Sequence, residues 1–367
     1  MKQNPEPLRD GGELPPPAQK IISGKREGFR AGELLLFSLV TLAVMALCVC
    51  VGSVSLPLKE TVTVIWNAIW GLPMPDGISV PIILSVRLPR VLCVALTGAA
   101  LSLCGGAMQG LLKNPLADGS TLGVASGASL GAVVAIAFGI TLPQLPFAGT
   151  MVLAIIFAFL SLLIILSLAY KIDYSMSTNT IILIGVIYSM FVSSILSLII
   201  SFASDRVKQI TFWTMGSLLG TSLQNALVLL CALVVFGGVI LRYSRELNAF
   251  AVSESNARSV GVPVRRVKLT LLIAVSALIG VCVSIGGTIG FVGLVTPHMV
   301  RMIVGPDHKR LLPASLFGGA VFLMLADLVA RTLLNPIELP IGVVTSFIGA
   351  FLFIVIFYRS RKRGTVC

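Results

Sequence analysis

The sequence predicts an all-α membrane protein of about ten transmembrane helices, and three observations carry that prediction. Of 367 residues, 56% are hydrophobic and only 11% are charged, with a mean hydropathy of +0.99. No soluble core hides so much apolar surface, whereas a bilayer does. The apolar residues fall in runs of roughly 20, the length a helix needs to cross the hydrocarbon layer. The basic residues collect in short loops between the runs. A net charge of +12 would suggest nucleic acid in a soluble chain; here it sets orientation, and no nucleic-acid partner is expected.

The elements follow in order. The first 32 residues are polar and proline-rich ("NPEPLRDGGELPPPAQ") and read as a disordered cytoplasmic tail, without the short apolar core and cleavage site of a signal peptide. Apolar spans follow at 33–56, 91–112, 119–141, 147–169, 178–203, 224–243, 267–285, 289–304, 311–333 and 338–358, leaving 359–367 as a basic tail. The eighth is the shortest and is glycine-rich. With the N-terminus inside, 21 of the 27 Lys and Arg residues fall on the inner face and 6 on the outer. The positive-inside rule then puts both termini in the cytoplasm. The longest inner loop, near 244–266, has Ser253 with Asn256 and Ala257 as a helix start and Gly261 with Pro263 as its stop. It predicts a short helix at the cytoplasmic surface.

Small residues recur every fourth position: Gly98, Ser102, Gly106 and Gly110 in the second span, and Gly119, Gly123, Gly127 and Gly131 in the third. Each set makes a smooth stripe along which helix backbones approach closely. Asn114-Pro115 interrupts the chain between those spans, and irregular backbone belongs there. Asp327 and Arg331 are four apart, share a helix face and can pair. Arg87 and Arg90 precede the second span on the outer face, against the charge rule, so acidic groups outside are expected to compensate them.

Several motifs are accidental. Gly127-Ala128-Ser129-Leu130-Gly131 fits the G-x-S-x-G of a hydrolase, but it lies on the glycine stripe of a span, without the strand–turn–helix elbow or a histidine partner. The two histidines, His298 and His308, are ten apart and form no metal-binding pattern, so they read as structural. Of the seven cysteines six lie in apolar runs and none makes a C-x-x-C pair. No metal site and no cofactor on this chain are expected. A nucleotide-binding G-x-x-x-x-G-K-[ST] is missing, so the chain is no enzyme by itself, and any ATP is hydrolysed by another polypeptide.

The ordered pieces "RLPR", "NPLA…LG…GA", "WTMGSLLG", "ARSVGV", "GFVGLVTPHMVR", "DHKRLLP" and "ELPIGVVTS" resemble the FecCD-like permeases of iron–siderophore and vitamin B12 ABC importers, from roughly Glu33 to Tyr358. The resemblance implies the type II importer permease fold in the bacterial inner membrane. It implies a second permease chain, two ATP-binding subunits below and an extracytoplasmic substrate-binding protein above, with membrane lipid around. Carried over by motif, Arg87, Arg90 and Arg331 would receive acidic residues of the binding protein. A loop helix at about Leu247 to Gly261, with Glu254, Ala257, Arg258 and Gly261, would couple to the ATPase. Asn114 and Leu116, with Thr178 and Asn179, would form the cytoplasmic gate. The implied function is ATP-driven import of a metal chelate, a ferric siderophore first, with haem or cobalamin also open. The alternative is a secondary carrier driven by an ion gradient, which usually needs several ionisable groups at mid-membrane. Two positions depart from the family pattern: Gly119 replaces a proline, which implies a looser gate turn, and Phe351 replaces another, which puts a kink of the last span in doubt.

Overall fold

The computed structural model describes residues 28–54, 56–75, 77, 79–140, 148–174 and 176–362. Residues 1–27 of the expected N-terminal tail and 363–367 of the basic C-terminal tail lie outside them.

Every predicted span is a helix. The first, α1 (Ala31–Cys50), is followed by α2 (Leu58–Trp70), a helix of 13 residues that lies between the first two predicted spans. Its apolar residues Leu58, Val62, Trp66 and Ile69 are exposed along one side, while Thr61 and Val64 are buried on the other. The next helix, α3, runs unbroken over Ser79–Leu112, twelve residues earlier than the predicted start at 91. A wide π turn at Ile82–Arg87 explains how it continues past Pro89. Leu88 donates its N–H to the Ile83 carbonyl, five residues back. This widening makes room for a proline ring that would crowd an ordinary turn.

After α3 come α4 (Val124–Phe138), α5 (Ala148–Ile172), α6 (Thr178–Phe202) and the short α7 (Val207–Thr214). Then follow α8 (Leu223–Arg242), the loop helices α9 (Ser244–Val252) and α10 (Glu254–Ser259), and α11 (Val264–Gly286). The chain closes with α12 (Val292–Val304), α13 (His308–Thr332) and α14 (Ile341–Lys362). Seven of these helices are long and apolar enough to cross a membrane, and α4, α12 and α14 are shorter apolar helices. The total matches the ten predicted spans.

The third span starts later than its stripe suggested. Gly119 lies in a 3-10 turn, Gly119–Leu122, and Gly123 (φ 73°) caps α4 in the left-handed region that glycine favours. Only Gly127 and Gly131 remain on the helix, packed on Ser161 and on Leu153 with Phe157 of α5. Gly119 packs closely on the Ile279 side chain, whose terminal methyl a β-carbon there would meet. Ser129 donates within its own helix to the Ala125 carbonyl, so no nucleophile elbow exists there. The last helix runs without interruption through Phe351, which is exposed.

The α3 stripe sets the core. Gly98 meets the backbone of Gly319 on α13, Gly105 meets that of Gly293 on α12, and Gly110 faces the His308 ring. Without side chains in the way, α12 and α13 pack on α3 at backbone contact, where dispersion replaces the hydrophobic force that lipid cannot supply.

Candidate functional site

Polar side chains gather at the two ends of the bundle and at one place inside it. At the first end lie the outward arginines. Arg90 donates to Asp327 Oδ1 from Nε (3.1 Å) and Nη2 (2.9 Å), and to Glu338 Oε2 from Nη1 (2.7 Å). Arg331 Nε lies 3.2 Å from Asp327 Oδ2, close enough for charge attraction but poorly aligned as a hydrogen bond. Its Nη2 donates to the Cys48 carbonyl at 2.6 Å. Arg87 donates to the carbonyls of Val49 and Cys50, each at 3.0 Å, and to that of Val54. All three arginines and Asp327 are buried. The predicted Asp327–Arg331 pair is present. The acidic compensation expected from outside is met inside the chain for Arg90, by Asp327 and Glu338. Arg87 is instead satisfied by backbone carbonyls at the end of α1 and just beyond it. These long-range partners give no local signal in the sequence.

At the other end the two short loop helices replace the single helix expected from Leu247 to Gly261. The break falls at Ser253, whose extended backbone ends α9 and whose hydroxyl accepts from the Asn256 N–H at 2.8 Å to start α10. Val262 N–H returns to the Ala257 carbonyl across Gly261 (φ 84°), a Schellman-type stop before Pro263. Start and stop thus lie where the sequence placed them. Leu247, Phe250 and Ala257 are fully buried, so Ala257 faces the bundle and offers no surface to a partner, whereas Arg258 and Gly261 are exposed.

Glu254 joins two groups that the sequence treated separately. Its Oε1 accepts from Thr178 Oγ1 at 3.4 Å, at the start of α6, and pairs with Lys268 Nζ at 2.6 Å, near the foot of α11. Lys268 is buried and also donates to the Met176 carbonyl at 3.2 Å. Asn179 is exposed beside this contact. In the sequence Lys268 reads as one more loop base, with no local sign of its buried partners. A second tie links α9 to α13: Asn248 Oδ1 accepts from His308 N–H and faces His308 Nδ1, both at 2.8 Å, and Asn248 Nδ2 donates to Asp307 at 2.6 Å. His308 is therefore structural, as expected. Near the same end, Arg265 lies over the rings of Tyr170 (4.9 Å) and Tyr174 (4.8 Å). A hydrogen bond with Tyr170 and the Arg265 guanidinium hold the Tyr174 hydroxyl below the ordinary phenol range.

Between the ends, two irregular segments enter the bundle. After α3 the chain turns at Asn114, whose Oδ1 accepts from the Leu116 N–H at 2.9 Å, leaving Leu116 exposed. It then climbs back until Asp118 shares a cavity wall with Leu101, eleven residues up α3, or about 16 Å at 1.5 Å per residue. From the other side the 287–291 turn leads into α12, with Phe291 at φ 66°. The cavity between them has a volume of ≈ 310 Å³, with Asp118, Ser126, Ser129, Ser193, Thr214 and Thr288 on its wall. The wall is thus polar where non-helical backbone enters the bundle, and Thr288 donates its hydroxyl to the Thr214 carbonyl there. The two entering segments also explain how α4 and α12, too short to cross alone, serve as spans.

Comparison with known proteins agrees with this architecture. The FecCD transport family matches residues 39–359. The chain is 40% identical over 336 residues to the uncharacterized ABC transporter permease protein YvrB of Bacillus subtilis, covering 91% of this chain and 95% of the relative. It is 36% identical over 344 residues to the vitamin B12 import system permease protein BtuC of Vibrio vulnificus, covering 93% and 98%. A solved structure described as an inward-facing conformation of a metal-chelate type ABC transporter superposes with a TM-score of 0.79 at 31% identity, covering 90% of this chain and all of that one. With a family match over nearly its whole length and ten apolar helices in the matching arrangement, the chain belongs to the FecCD transport family, the membrane permease subunits of ABC importers.

Proposed function

We propose that this chain forms half of the pathway of an ATP-driven importer for a bulky metal chelate, a ferric siderophore first, with haem and cobalamin as the neighbouring cargoes. The observation that carries the mechanism is the Glu254 bridge. One carboxylate touches the start of α6 through Thr178 and the foot of α11 through Lys268, so a force on the α9–α10 pair reaches two spanning helices at once. ATP-binding subunits dock on this pair, with Glu254, Arg258 and Gly261 as contacts and Ala257 as the buried anchor. The gate lies alongside, at Asn114, Leu116, Thr178 and Asn179. ATP binding and hydrolysis shift the bundle between outward- and inward-open states by favouring one of them.

This end faces the cytoplasm, together with both termini, in keeping with the charge asymmetry of the loops. The substrate-binding protein docks at the opposite end. Arg90 is already paired there, so docking is an exchange: an incoming carboxylate displaces Glu338, the more exposed of its two partners, and Arg87 and Arg331 follow as the 48–54 segment moves. A vitamin B12 permease and a metal-chelate transporter among the similar proteins support a bulky chelate cargo. The test is uptake of radiolabelled ferric siderophores, haem and cobalamin by cells with and without this gene. Gene-dependent uptake of ferric siderophore alone is expected. Uptake of haem or cobalamin instead would replace the cargo, and gene-independent uptake of all three would remove the importer reading.

A further inference from the structure

A cleft of ≈ 610 Å³ opens where α10 meets the start of α11; it shares only Arg258 with the proposed coupling contacts and no residue with the proposed gate. Its upper wall carries Arg258, Arg265 and Arg266, and its lower wall carries Leu269 and Ile273. Among the described residues no carboxylate pairs with any of these arginines, since Glu254 is committed to Lys268. Arg265 is held in place over Tyr170 and Tyr174. Ile273 lies nine residues into a spanning helix, about 13 Å from its start, and is exposed. The cleft therefore begins among cations at the loop surface and ends on the apolar outer face of the bundle. A soluble subunit docking on the loops does not reach the apolar end, and a free anion leaves that end bare.

We propose that this cleft binds an anionic phospholipid, with its phosphate against Arg265 and Arg266 and its acyl chains along Leu269 and Ile273. Basic pockets at the membrane boundary suit such headgroups, and a pair of interfacial tyrosines beside them is typical of that depth. The site needs only that α11 spans the membrane, so it stands apart from the choice of cargo.

The test uses the full chain purified in neutral detergent and incubated with phosphatidylglycerol or phosphatidylcholine of the same acyl chains, with bound lipid read by native mass spectrometry. Phosphatidylglycerol is expected to be retained over phosphatidylcholine. Each arginine near an anionic headgroup is worth about fivefold, so R265Q/R266Q is expected to lose about 30-fold in affinity. The charge-matched R242Q/R245Q is expected to bind as the wild type, and I273N to weaken phospholipid binding. Gel filtration of each variant checks that the exposed substitutions leave the chain folded. Equal retention of the two lipids, or unchanged binding by R265Q/R266Q, would overturn the proposal. Displacement of the lipid by millimolar glycerol 3-phosphate would also overturn it, by showing a site for a free phosphate.

Discussion

Asp327 is the keystone of the arginine cluster, and removing its carboxylate gives a calculable loss. In D327A Arg90 keeps Glu338, but Arg331 keeps only the Cys48 carbonyl, and both guanidinium groups stay buried. Breaking a buried ion pair from one side costs about 3–5 kcal/mol. The surviving Glu338 contact puts this case at the low end, about 3 kcal/mol, or about 150-fold in the equilibrium for opening this end. Cys48 supplies the assay, because its thiol is buried and donates to the Met324 carbonyl while Arg331 grips its own carbonyl. In a chain whose other cysteines are alanine, alkylation of Cys48 reports that opening when reclosing outruns the reaction. D327A should raise the rate by the same factor, about 150-fold, and R90L/D327L should fall between D327A and the parent, since two of the charges leave together. Alkylation of D327A at the parent rate would refute the claim that this carboxylate holds the end shut.

Gly105→Ala drives a β-carbon into the Gly293 backbone and should cost about 1–3 kcal/mol or more, whereas Gly106→Ala meets a flexible Leu312 methyl first at 3.2 Å and should be mild; thermal unfolding in detergent compares the two. Lys268→Met releases Glu254 from α11, and ATP-driven transport should fall about tenfold, within the usual range of coupling energies, while ATP hydrolysis by the assembled transporter persists. Asn248→Ala strips the polar tie between α9 and the start of α13 and should cost about 1–2 kcal/mol, seen as faster amide exchange at residues 307–310. Glu254→Arg places a cation against Lys268 and should abolish coupled transport; normal uptake by this variant would remove the bridge from the mechanism.

The bundle was legible because its grammar is local. Apolar run length fixes a span, Ser253 and Gly261 punctuate α10, and the spacing of Asp327 and Arg331 fixes a shared face. What escaped depended on distance along the chain. The early start of α3 was hidden by Arg87 and Arg90, which look like the edge of a span until backbone carbonyls some forty positions away accept from the first and carboxylates some 240 positions away pair with the second. Gly119 and Gly123 matched the helical stripe by period, yet they belong to the segment that enters the bundle. Lys268 was legible as a charge but not as a partner, because its role needs Glu254 and Met176 brought in from two other segments. The 58, 62, 66 and 69 spacing of apolar residues was the available signal for α2, in a stretch too short to cross the membrane.

The most direct test of an ATP-driven permease separates its two possible energy sources. Uptake of the labelled chelate would be measured in cells carrying this gene, once with ATP depleted and the proton gradient maintained, and once with ATP maintained and the gradient collapsed by an ionophore. Uptake that stops with ATP and survives the ionophore is the expected result; uptake that survives ATP loss and stops with the gradient would contradict it and establish a secondary carrier.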